Sequence, residues 1–240
     1  MKFWYPFYFL YQWLIAVPLI AVSTVITSIL TLILSPLMPN SKISYLPAII
    51  WGRFCCHILF IRVKVKGAEN LDKKQSYVFT PNHQSMLDIL VIYGWLPVIF
   101  KLVMKMELKK VPFIGPACVA AGHIFIDRSN PVAAKNSLEK AAEQLKHGNS
   151  VVIFPEGTRT RTGKLGKFKR GGFLLAMELS LPVVPVTISG SFERLHMHSL
   201  MIRPGTITLT FHPPIDVTKF NENDSSLLLR TTQEIVRSAL

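Results

Sequence analysis

The chain has 240 residues, half of them apolar and 17% charged, with a formal net charge of +13. That composition excludes a disordered chain and leaves ample material for a core, in one large domain or a medium domain with an appendage. The pI of about 9.8 favours an acidic partner: nucleic acid, an anionic membrane surface or a phosphorylated substrate.

Between Phe3 and Ser41 no residue is charged. The stretch FYFLYQWLIAVPLIAVSTVITSILTLIL is apolar enough to enter or cross a bilayer, for which about 20 such residues suffice. Trp4, Tyr5, Tyr8, Tyr11 and Trp13 gather at its front as in an interfacial aromatic belt, and Pro18 is placed to kink it. A signal peptide is the alternative. Its apolar core runs to about 7–15 residues before a small-residue cleavage site, whereas this run is longer and has no convincing A-x-A site. The reading is a retained membrane anchor, either a full span or a hairpin dipping into one leaflet. A second apolar stretch, ISYLPAIIWGRFCCHILFI (43–61), holds one cation, Arg53. It reads as a helix folded back on the first or as a core helix of the domain that follows. Cys55, Cys56 and Cys118 suit a reducing compartment better than a disulfide framework and are expected as buried, soft apolar side chains.

Past residue 61 the texture becomes that of an alternating α/β protein. RVKVKG has period two and reads as an edge strand. SYVFT (76–80) is a strand leading into a helical SMLDILVIY. PVIFKLVMK and GHIFID (122–127) follow as strands, and Asn130 with Pro131 opens a helix closed by Gly148. SVVIF (150–154) is a buried strand, GGFLLAMELS a helix, PVVPVTIS and TITLTF strands, and SSLLLRTTQEIVRSAL a C-terminal helix. Strands alternating with helices predict a mostly parallel sheet covered by helices on both faces. The division is a hydrophobic, membrane-anchoring helical segment over 1–61 and an α/β domain over 62–240.

Sites in such sheets lie at strand ends, where loops meet helix N-termini. Three segments fall there. In NHQSMLD, five residues separate His83 from Asp88; on a regular helix they would point about 140° apart. They meet only if His83 lies in the turn before the helix and Asp88 in its first turns. Asp88 then accepts the Nδ1 proton and leaves Nε2 free as a base. No Ser or Cys is marked as a nucleophile, so such a pair would activate a hydroxyl of the substrate. Taken alone, the same pair reads as a turn histidine and a helix-start charge. In FPEGTRTRTGKLGKFKRGG (154–172), six cations and no acid lie between Arg159 and Arg170. Two glycines then open a helix, which suits a phosphate or a basic loop at a membrane surface. In KMELKKVPFIGPACVAAGHIFIDR (105–128), cations bracket an apolar loop, VPFIG, that lines an acyl groove or belongs to the core.

In chain order these segments, with VPVTISG (184–190), resemble the 1-acylglycerol-3-phosphate acyltransferase family, whose hallmark is an NHxxxxD block, an FPEGTR block and a V-P-V-x-[IV]-x-G strand. The resemblance covers roughly residues 62–215. It implies a glycerolipid acyltransferase fold and acylation of the sn-2 hydroxyl of lysophosphatidic acid to phosphatidic acid, with acyl-coenzyme A or acyl-acyl carrier protein as donor. It implies His83 as general base and Asp88 as its orienting partner, without an acyl-enzyme. Glu156, Gly157, Thr158 and Arg159 become the acceptor-phosphate site, assisted by Lys105 and Arg128. No cofactor and no metal are expected. The remaining histidines show no persuasive ligand set. The expected partners are the bilayer, lysophosphatidic acid and the acyl donor. The expected place is a membrane, the bacterial inner membrane by the compactness of the chain, with the site on the cytoplasmic side.

A relative with another acceptor, such as glycerol 3-phosphate or another lysophospholipid, is the alternative within the class. A membrane-anchored nucleic-acid-binding protein would explain the charge. It would leave the His–Asp pair and the FPEGTR block unexplained, and Phe168 is the only aromatic residue interleaved with the cations of 159–170.

Overall fold

The computed structural model describes residues 4–127, 132–133, 136–137, 145, 149–221 and 224–240. The uncharged N-terminal run forms one helix, α1 (Tyr5–Leu37), whose most apolar stretch of 18 residues has a mean hydropathy of 2.3; at about 1.5 Å per residue it is about 50 Å long. Pro18 does not end it. A π-helical stretch over Gln12–Ala16 immediately precedes the proline, where the Val17 N–H reaches back to the Gln12 carbonyl. The extra residue per turn accommodates the ring and the missing donor. The second apolar stretch is a helix, α2 (Lys42–Ile58), capped by Ser41, whose hydroxyl accepts the Ser44 N–H.

Among the described residues seven strands follow: β1 (Ile61–Lys66), β2 (Val78–Pro81), β3 (Phe100–Lys105), β4 (Ile124–Ile126), β5 (Ser150–Val152), β6 (Val183–Ser189) and β7 (Gly205–Phe211). They form one sheet in the order β1-β7-β6-β2-β5-β3-β4. Every pair is parallel except β6 with β7, so the sheet is mostly parallel as expected, and β1 lies at an edge. The intervening helices are α3 (Leu87–Trp95), α4 (Ile114–Ala120), α5 (Gly171–Glu178), α6 (Ser191–Arg194) and α7 (Ser225–Ser238). The short α4 begins at the last two residues of the VPFIG segment read as an apolar loop. The helix expected between Asn130 and Gly148 lies largely outside the described residues, as does Arg128.

Strand side chains alternate between two cores, as period two demands. Phe79, Leu102, Val152 and Val184 join one apolar cluster with Tyr45, Cys56 and Leu59 from α2 and its end, and with Val91 and Ile92 of α3. Their neighbours Val78, Val103, Val151 and Val183 join the other, with Phe173 and Leu175 of α5 and Leu228 and Val236 of α7. Helix α2 therefore packs on α1 and also into the sheet core, where Gly52 meets α3. A Cβ on Gly52 would lie 2.7 Å from the Leu90 carbonyl oxygen. Cys55 and Cys56 are buried and Cys118 half-buried, all three free.

Hydrogen bonds fasten α1 to the rest. Tyr8 and Tyr11 donate to the carbonyls of Leu59 and Ile58, at 3.1 and 2.8 Å. The buried Gln12 amide donates to the Leu200 carbonyl and accepts the Ile202 N–H, at 2.7 and 2.8 Å. Of the five aromatic residues grouped in the sequence, Tyr8 and Tyr11 thus turn inward, while Trp4, Tyr5 and Trp13 stay exposed.

Candidate active site

Strands β2, β5 and β3 are adjacent and parallel, so their C-terminal ends share one edge of the sheet. The chain leaves β2 toward His83, β5 toward Arg159, and β3 at Lys105. Three segments distant in sequence thereby converge, as open α/β sheets arrange their sites.

Pro81 ends β2. The Asn82 side chain then stands in for backbone, accepting the Ile188 N–H at 2.7 Å and donating to the Ile188 carbonyl at 2.9 Å. His83 lies in the turn and Asp88 in the first turn of α3, the placement that lets them meet: Nδ1 to Oδ2 is 2.9 Å. Asp88 is fully buried, and the same Oδ2 accepts the Gln84 and Ser85 N–H groups at 2.7 and 2.8 Å. An oxygen already taking two amides makes the ionised carboxylate an acceptor for Nδ1–H, which leaves the Nε2 lone pair outward. Among the described residues Nε2 has no hydrogen-bond partner. The ring stacks on Phe154, with centroids 4.1 Å apart.

His83 opens on a cavity of about 840 Å³, which also takes Lys105, Gly157, Thr158 and Arg159 into its wall. The cavity runs from these polar residues past Ile89, Leu102 and Met104 toward α4. Helix α1 contributes to the wall through Thr24, Thr27, Ser28, Thr31 and Ser35, and α2 through Ser44, Tyr45, Ala48 and Trp51. These five Ser and Thr residues of the uncharged segment share one helical face, turned to the cavity. Gln12, that face, Asn82 and Phe154 escaped the sequence reading. The three-to-four-residue spacing of Ser and Thr was the available signal for the helix face.

Glu156 is placed differently. It is buried, and its two oxygens accept backbone N–H groups, Oε1 from His83 and Oε2 from Gly166, each at 2.7 Å. Burial pushes its carboxyl above the usual range, while those two hydrogen bonds pull the other way. At the far side of the cavity, Lys101 donates to the Ala121 carbonyl at 2.7 Å and burial lowers its ammonium. His123 beside it is buried and pushed down to about 3, by burial first and Lys101 second. Among the described residues no three His, Cys, Asp or Glu side chains cluster as a metal site requires.

Residues 62–189, more than half of the chain, match the family model described as Acyltransferase. The chain belongs to that family. The chain is 34% identical over 204 residues to the 1-acyl-sn-glycerol-3-phosphate acyltransferase of Cocos nucifera, covering 84% of this chain and 65% of that protein. It is 30% identical over 169 residues to the protein of the same name from Borreliella burgdorferi, covering 70% of this chain and 67% of that one. The chain spans 65, 58 and 55% of the length of three of the curated relatives that it matches. Its fold matches the crystal structure of the 1-acyl-sn-glycerophosphate (LPA) acyltransferase from Thermotoga maritima with a TM-score of 0.80 and 28% identity, over 98% of this chain and 94% of the other.

Proposed function

We propose that this acyltransferase moves a fatty acyl group from a thioester, borne by coenzyme A or acyl carrier protein, to the sn-2 hydroxyl of 1-acyl-sn-glycerol 3-phosphate, making phosphatidic acid. The observation that carries the proposal is the His83–Asp88 pair, its Nε2 unpartnered among the described residues, at a largely apolar cavity that also presents Arg159 and Lys105. Nε2 takes the proton of the acceptor hydroxyl as its oxygen attacks the thioester carbonyl. Asp88 holds the imidazole and stabilises the imidazolium. Collapse of the tetrahedral intermediate expels the thiolate, which takes the proton back. The Arg159 guanidinium offers a planar fork to the acceptor phosphate and Lys105 a point charge, with Arg128 as a further candidate from outside the described residues. The apolar length of the cavity receives acyl chain.

Attack is direct, without an acyl-enzyme. The Ser85 hydroxyl is buried and donates to the Leu195 carbonyl at 2.9 Å. Burial pushes the Cys118 thiol up to about 11, so it is not a thiolate at neutral pH. Neither supplies a ready nucleophile, and the reaction as proposed calls on no cofactor.

The exposed apolar face of α1, with Leu14, Ile26 and Ile33, and that of α2, with Ile43 and Ile50, support residence in a bilayer. A long-chain lipid drawn into water would cost about 0.8 kcal/mol per CH₂. The proposed place is the bacterial inner membrane with the site facing the cytoplasm, where acyl thioesters are made. The deciding assay presents purified protein in detergent with labelled donors and a panel of lysolipids. Lysophosphatidic acid should be the preferred acceptor. Preference for a lysolipid lacking a terminal phosphate would refute the acceptor assignment, and equal turnover by wild type and His83→Ala would refute the base.

A further inference from the structure

His83 is held by its backbone as well as by its ring. Its carbonyl accepts the Thr160 N–H at 3.0 Å, and its N–H is taken by Glu156. Both clamps come from the loop that carries Arg159. Glu156 uses its second oxygen on Gly166, ten residues further along the same loop. A Cβ on Gly166 would sit 2.6 Å from Oε2, so glycine there leaves the carboxylate its place. The Gln233 side chain in turn donates to the Gly166 carbonyl at 2.8 Å, tying this arrangement to α7. Glu156 does not line the cavity, and an ionised carboxylate has no attraction for a phosphate.

We propose that Glu156 is a positioning residue for His83: one buried carboxylate holds the histidine's own N–H and the Gly166 N–H, and so sets where the base stands relative to the loop bearing Arg159. The proposal rests on the reading of His83 as general base. Its chemistry forbids the usual conservative replacements. A glutamine has one acceptor oxygen and would turn its NH₂ toward the other amide, donor against donor. An aspartate is one methylene short of bridging both. A displacement of about 1 Å in a reacting group is enough to cost about 10²-fold in rate.

The test is steady-state kinetics of full-length protein in detergent, with lysophosphatidic acid and an acyl thioester. Glu156→Gln should lower kcat about 10²-fold and leave KM for the acceptor within about threefold. Glu156→Asp should not restore it. Because the effect passes through His83, adding Glu156→Gln to His83→Ala should cost less than about twofold more. Gly166→Ala displaces Oε2 from the opposite side with Glu156 intact; it should show the same kcat-selective loss, and it carries the test should Glu156→Gln fail to fold. A raised KM with kcat retained would make Glu156 an acceptor ligand and overturn the proposal. So would losses that multiply in the double variant, or a lowered Tm with kcat unchanged. These outcomes leave the base assignment standing, whereas equal turnover by wild type and His83→Ala removes both.

Discussion

Asp88→Asn is the substitution whose cost the geometry allows to be worked through. All three hydrogen bonds of the Asp88 side chain end on Oδ2, while Oδ1 is buried without a partner. An asparagine can therefore put its oxygen where Oδ2 stands and keep three neutral hydrogen bonds, with its NH₂ where Oδ1 was. Two things are lost. Charge assistance on three hydrogen bonds and a newly orphaned NH₂ should lower stability by about 2–4 kcal/mol. The second loss falls on the transition state, where His83 becomes positive. With Nδ1 and Oδ2 2.9 Å apart, the charge centres are about 4 Å apart. At an effective dielectric of ~20 that attraction is worth ~4 kcal/mol. At about 1.4 kcal/mol per decade, kcat should fall about 10³-fold. KM for the acceptor should stay within about threefold, because Asp88 is enclosed and cannot touch it. Continuous detection of the released thiol, below the variant's melting transition, measures both constants. A kcat within about tenfold of wild type would show that the carboxylate charge is not what supports the base.

Arg159→Lys keeps a charge in the cavity wall but removes the fork, so it should raise KM for lysophosphatidic acid about tenfold or more without rescue over Arg159→Ala; an unchanged KM would detach Arg159 from the phosphate. His123 is neutral in the folded protein down to about 3, whereas in the unfolded chain it protonates below about 6.5. Its contribution is thus complete above pH 6.5 and is lost as pH falls from there toward 3. Between pH 7 and pH 5 unfolding should become about 2 kcal/mol easier in denaturant melts, and His123→Asn should flatten that slope. Full-length protein should float with neutral and anionic vesicles alike at low and high salt, since burial of α1 is not screened; protein left in the soluble fraction under all four conditions would refute the bilayer reading.

What the sequence by itself determined is local. Period-two runs became strands whose neighbouring side chains serve two cores. The spacing of His83 and Asp88 required a turn followed by a helix, because a regular helix would hold them apart, and that is how they meet. Net charge, the basic run and the order of the motif segments pointed to an anionic acceptor and to the family. Only the tertiary structure decided which strands adjoin. Nothing local in β2, β5 and β3 says that they are neighbours, and it is their shared edge that brings His83, Arg159 and Lys105 to one cavity. The same holds for the direction of side chains. Glu156, within a phosphate-binding motif by resemblance, is buried and spends its two oxygens on the backbone N–H groups of His83 and Gly166. The N-terminal run looked like an anchor and nothing more, since apolar length dominates its pattern. Folded, its Ser and Thr side chains close the cavity wall, for a helix packed on a domain has an inner face that hydropathy alone does not reveal.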